Sequence, residues 1–153
     1  MNKHLIYGFA LVVGVSAFAG NSASTNAIAK AQVKKSISIS KTQDLDFGLG
    51  FTGDTAVSVA ATSAAAAKFT VAGEKNKAYN IVLPANVTIS TGDGVGPDKQ
   101  IEISSLSSDP NSSGNLGAAG TQVVGVGGMR AALSNSQESG DYSGVFTVTV
   151  TYQ

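Results

Sequence analysis

Gly140-Asp-Tyr-Ser-Gly-Val-Phe-Thr-Val-Thr-Val-Thr-Tyr-Gln153 reads as one amphipathic strand. Side chains on a strand alternate between its two faces. Phe146, Val148, Val150 and Tyr152 therefore share one face, and Val145, Thr147, Thr149 and Thr151 share the other, a β-branched but mostly polar row. The strand is expected to be half-buried, inside a sheet or at an edge, and an edge is where another chain can add a strand.

Upstream, short β-rich runs are separated by Gly, Asp, Asn and Ser clusters, the spacing of an all-β sandwich or barrel. Strands are expected at Val33–Ser40, Leu45–Leu49, Ala56–Ala60, Lys68–Ala72, Ala78–Leu83, Val87–Ser90, Ile101–Leu106 and Gln122–Val126. In the first, Val33, Ile37 and Ile39 fall on one face, and Lys35 interrupts it, so that the strand can also begin after Lys35. Pro84 and the Thr91–Asp98 stretch break the middle of the chain. Ala60–Ala67 has helix-forming composition but no amphipathic period, and is read as a loop with room for one helical turn. Met129–Leu133 fits a strand or a short helical turn.

The chain opens with Lys3 and His4, an apolar run from Leu5 to Val15, and the small-x-small stretch Ala17-Phe18-Ala19, which reads as a secretory signal over residues 1–19. The run is too short for a membrane span. An exported protein is expected, in the periplasm in transit and then at the cell surface or outside. Without Lys3 the 10 basic residues become 9 against 10 acids, a formal charge of −1 with no clustered basic patch, which argues against nucleic acid as a partner.

The sequence has no cysteine and one histidine, which lies in the signal. The processed chain would therefore have no His or Cys for acid/base or nucleophile triads or for the usual zinc ligands, and no enzyme, cofactor or metal is expected. Between signal and first strand, residues 20–33 form an extension in which Ala23, Thr25, Ala27, Ala29, Ala31 and Val33 alternate with polar residues and Ile28. Two readings stand: a disordered tail, or a detachable strand that pairs with another subunit. Residues 34–153 are expected to form a single β-sandwich domain.

Tyr152 in penultimate place, the alternating Val150, Val148 and Phe146 before it, and Gly140 fourteenth from the end resemble the terminal signature of bacterial fimbrial subunits, the pilins assembled by a periplasmic chaperone and an outer-membrane usher. Ile37–Gly48, Lys68–Gly73, Tyr79–Pro84 and Tyr142–Val148 also look like an uncharacterised family of exported bacterial domains with a pilin-like expected fold. The resemblance implies an immunoglobulin-like antiparallel sandwich lacking its final strand. It further implies that Gly140, Phe146, Val148, Val150 and Tyr152 form a subunit and chaperone interface, and that the extension is the strand donated to a neighbour. The partners implied are copies of this chain or related subunits, the chaperone and the usher. The function implied is a structural subunit of a surface fibre. The alternative is a self-complete secreted β-sandwich that acts as a surface or matrix binding module.

Other motifs read more simply as structure. Gly48-Leu-Gly50-Phe-Thr-Gly53 formally matches a dinucleotide fingerprint, but an all-β context supplies no helix at the third glycine, and a turn is expected. Asp93 and Asp98 lack the regular ligand spacing of a calcium loop. Asp44 and Asp46 share a strand face, as solvated charges that discourage edge pairing do.

Overall fold

The computed structural model describes residues 20–153, so the signal expected at 1–19 lies outside the described residues. The chain divides into two units, Met1–Gln32 and Val33–Gln153. In the first, residues 20–32 are all exposed and contain no strand.

The second unit is all-β. Its strands are β1 (Ser38–Gln43), β2 (Val57–Val59), β3 (Ala67–Ala72), β4 (Ala78–Val82), β5 (Val87–Ser90), β6 (Gln100–Asp109), β7 (Ser113–Asn115), β8 (Thr121–Arg130) and β9 (Thr149–Tyr152), with a single 3-10 turn at Pro97–Lys99. All pairings are antiparallel. The larger sheet runs β1-β3-β8-β6-β5, with β2 also on β8, and the smaller runs β7-β4-β9.

Period-two alternation places the core between the sheets. Val71 of β3 and Val124 and Val126 of β8 pack with Tyr79 and Ile81 of β4, with Leu116 and Val148 joining them. This is the sandwich arrangement expected of an immunoglobulin-like fold. Tyr79 is fully buried, and its hydroxyl donates to Gln122 Oε1 at 2.9 Å, which also accepts the Asn115 N–H at 2.9 Å. Burial pushes the Tyr79 phenol above its ordinary pKa, because the phenolate would lose its hydration.

The alanine-rich segment is a loop of two successive turns, with Ser63 N–H donating to Ala60 O at 2.9 Å and Ala66 N–H to Ser63 O at 3.3 Å. It lies against β8 at Gly125 and Gly127, where an added Cβ would overlap the carbonyl oxygens of Ala61 and Val59. Small residues on both sides make that approach possible.

Some elements differ from the sequence expectation. The first strand spans Ser38–Gln43 instead of Val33–Ser40, and Val33 is 96% exposed, off the face that Ile37 and Ile39 use. The chain ahead of it is hooked at Lys35, whose N–H donates to Glu74 Oε2 at 2.9 Å and whose carbonyl accepts the Tyr152 hydroxyl at 2.9 Å, so ladder pairing begins only beyond that point. Leu45–Leu49 forms no strand: its one backbone–backbone hydrogen bond among the described residues is from Asp46 N–H to Ala65 O, and Gly48 takes a φ of 70°. β6 and β8 are longer than expected. β6 carries a register shift between Ser104 and Ser107, and β8 continues through Gly127 and Gly128 to Arg130, which settles the open Met129–Leu133 stretch as the end of a strand and an extended exit. The short β7 had no hydrophobic pattern to announce it.

Candidate strand-acceptor cleft

The terminal segment keeps its alternation over twice the length of its paired part. Phe146, Val148, Val150 and Tyr152 are buried or half-buried, while Val145, Thr147, Thr149 and Thr151 are exposed. Yet β9 covers only Thr149–Tyr152 and pairs on one side only, with β4. The Gln153 N–H donates to Ala78 O, which fixes the phase of the ladder: the amides of Thr149 and Thr151 face β4. Those of Val150 and Tyr152 face outward along an open edge. Among the described residues, Val145 to Val148 make no backbone hydrogen bond to any neighbour.

Just before this stretch the chain belongs to the other sheet. Ser143 and Ser90 of β5 exchange two backbone hydrogen bonds, 2.9 and 3.0 Å, so residues 144–148 cross from the edge of one sheet to the edge of the other. The crossing is tight at Gly144, where a Cβ would stand 2.6 Å from Thr88 O, and at Gly140, where it would stand 2.5 Å from Thr91 Oγ1.

The crossing leaves an open cleft of about 830 Å³ over the inner face of the larger sheet. Residues 44–52 form one wall and residues 137–144 with Phe146 the other, with Val87 and Ile89 of β5, Ile101, Ile103 and Leu106 of β6, and Arg130 of β8 between them. Leu49 and Phe51 of the first wall are 86% and 68% exposed. The first wall is pinned at intervals instead of along a ladder: Asp46 N–H donates to Ala65 O, Gly48 N–H to Asp46 Oδ1, and Gly53 N–H to Ser134 O. The second is braced by Tyr142, whose hydroxyl lies 2.9 Å from Asp98 O and 2.7 Å from Glu138 O and accepts from Gln137 Nε2 at 2.9 Å.

The charged groups are sorted by depth. Lys99 Nζ donates to Asp93 Oδ1 at 2.9 Å, and this hydrogen bond, helped by the Val95 N–H and the Lys99 charge, holds the Asp93 carboxyl below its ordinary pKa. The Asp93 side chain is thus engaged within its own turn. Asp44 pairs with Lys41, and Asp46 turns back onto Gly48, so the two carboxylates have separate partners. Gly48 and Gly53 adopt φ of 70° and 84° and no helix follows them, as a turn requires. Among the described charged residues only Arg130 is deep, at 6% exposed.

A family model described as a domain of unknown function, DUF4402, matches residues 37–152. The chain belongs to the DUF4402 family. No curated protein matches it. The DUF4402 domain here begins one residue before β1 and ends with β9, so it contains both walls of the cleft and its floor.

Of the residues singled out from sequence, the structure brings Phe146, Val148, Val150 and Tyr152 onto one face and seats Gly140 against Thr91. Phe146 packs edge-on to Phe69, ring centroids 6.3 Å apart. Tyr152 accepts the Glu74 N–H at 2.6 Å. The candidate donor residues Ala23, Thr25, Ala27, Ala29 and Ala31 are exposed in the first unit. Sequence reasoning missed Arg130 and the cleft wall at residues 44–52. The first could have been noticed as a single charge in a run of Val and Gly, while the second is split in sequence between a short strand and a glycine turn, neither of which marks a cleft wall.

Proposed function

We propose that this DUF4402 domain is an acceptor of an extended strand, and that it serves as a structural subunit of a bacterial surface fibre built by such insertion through a chaperone-usher route. The observation that carries the reading is the unpaired stretch Val145–Val148, whose inward face is core-like while its backbone has no partner, and whose Phe146 lines an open cleft. Buried backbone groups are normally paired, and an edge left open invites a strand from another chain. A strand laid along the β9 edge would take the free amides of Val150 and Tyr152, and its alternate side chains would enter the cleft. Residues 20–33, small and alternating, are suited to be such a strand for a neighbouring copy. Pairing of that kind is head-to-tail and does not close, so it extends into a fibre. The chain acts as a binding and building element, exported and without catalysis, with copies or related subunits, a chaperone and an usher as partners.

Size-exclusion chromatography with light scattering tests this on the chain from residue 20 and on a version lacking residues 20–32. The expected result is a ladder of oligomers for the longer chain and a monomer for the shorter, whose melting temperature rises on adding a peptide of residues 20–33. A ligand at 100 times its Kd adds about 2.7 kcal/mol of stability. Two equally stable monomers, both indifferent to the peptide, would overturn the reading in favour of a self-complete binding module.

A further inference from the structure

In the run Val123-Val-Gly-Val-Gly-Gly-Met-Arg-Ala-Ala132, Arg130 is the only charged residue. Strand alternation puts it on the inner face with Val124 and Val126, and there it is 94% buried, with 6% exposed. A guanidinium has five N–H donors. Here Nη1 donates to Ala131 O and Nη2 to Thr55 O, both at 3.2 Å; no further protein acceptor meets the group among the described residues, and none of its nitrogens is both buried and without a partner, so its remaining donors face the open cleft. The ion pairs there are Lys41 with Asp44, and Lys99 with Asp93 and Glu138, so the one buried cation has no carboxylate. It lines the cleft, and the wall that passes it does so at Gly50, where an added Cβ would lie 3.7 Å from its Cζ and from Nη2. No side chain at that position covers the guanidinium.

We propose that Arg130 is the carboxylate-reading point of the cleft, and that the preferred occupant is an extended strand carrying an Asp or Glu, supplied by a different chain. The proposal rests on the strand-acceptor reading above. A buried charge without a counter-ion is costly, and a carboxylate delivered to a planar guanidinium forms the strongest kind of charge-assisted pair. This chain cannot deliver one from its own extension: residues 20–33 contain no acid, and the first in the sequence is Asp44. Pairing between copies would leave Arg130 unmatched. The carboxylates at the cleft mouth do not reverse this preference. Asp44 and Glu138 are engaged with Lys41 and Lys99, and Asp46 and Asp141 are exposed, where solvent and salt screen them.

The test measures binding of fluorescent peptides to the chain from residue 20. The peptides carry the sequence of residues 20–33 with Asp placed singly through positions 22–32, each matched by Asn at the same position. The expected result is one position at which Asp binds about 10-fold more tightly than Asn, consistent with a charge-assisted pair, and loss of that preference in Arg130→Gln and Arg130→Met. Because the Asp and Asn peptides are compared on the unaltered protein, the result does not depend on either variant folding. If all peptides bind but Asp and Asn are alike at every position, the acceptor reading stands and the carboxylate inference falls, leaving Arg130 as a clasp between Thr55 and Ala131. If no peptide binds, the acceptor reading falls and this inference with it.

Discussion

Tyr152 does more than fill the core beneath β9. Its hydroxyl accepts the Glu74 N–H and donates to Lys35 O, which ties the end of the terminal strand to the β3–β4 turn and to the approach to β1. Gly73 makes room for it, since a Cβ there would overlap the hydroxyl oxygen. Tyr152→Phe keeps the ring but strands the Glu74 amide, at a cost of about 1–2 kcal/mol measured by urea unfolding, with the m-value unchanged. Tyr79 is the contrasting case, because its phenol is desolvated and its pKa is raised. The folded state therefore holds that proton more tightly than the unfolded state. The contribution to stability is full below the ordinary tyrosine value near 10 and is lost as pH rises through the raised folded value. Unfolding followed from pH 8 to about 12 should show that decline steepest in the unaltered chain and shallower in Tyr79→Phe, beyond the constant cost of the lost hydroxyl.

Among elements, β8 shows most clearly what a sequence does and does not disclose. Val124 and Val126 announce an inward face, and the sequence pattern carries the strand only to Val126, where the side chains give way to Gly127-Gly128. Its glycines are instead the contact surface for the loop after β2: Gly125 and Gly127 sit under the Ala61 and Val59 carbonyls. That contact joins residues more than sixty positions apart and leaves no local trace. Gly125→Ala and Gly127→Ala should each destabilise the domain by about 1–3 kcal/mol, the usual cost of overpacking, since the obstructing atoms are backbone and cannot rotate away. Denaturant titration with a crystal or NMR check that β2 has lifted from β8 would measure it. The terminal element was the most legible, because its alternation from Phe146 to Tyr152 is a property of its own side chains. The pairing of that element was not legible. Only half of it has a neighbour, and the cleft wall opposite reads in sequence as a short strand, Leu45–Leu49, running into a glycine turn, with nothing to mark it as a wall. Arg130 stayed hidden for a related reason, as burial without a counter-ion is visible only in three dimensions.

For the whole molecule, an open edge predicts a pattern of amide exchange that a complete sandwich does not. The ladder phase set by Gln153 and Ala78 directs the amides of Thr149 and Thr151 into β4 and those of Val150 and Tyr152 outward. Continued along the same line, the outward set includes Val148 and Phe146. In the free domain, hydrogen exchange at single-residue resolution should find Thr149 and Thr151 protected and Phe146, Val148 and Val150 exchanging fast, even though the side chains of Val148 and Val150 face the core. Addition of a peptide of residues 20–33 should slow the outward set by 10-fold or more, to the extent that the site is occupied, and leave Thr149 and Thr151 nearly as they were. Protection rising uniformly over residues 145–152 would instead indicate general stabilisation without a strand at the edge. Slow exchange of the outward set before any peptide is added would mean that something already covers the edge. The alternation separates insertion from mere binding, because only a strand in register can reach every second amide and no others.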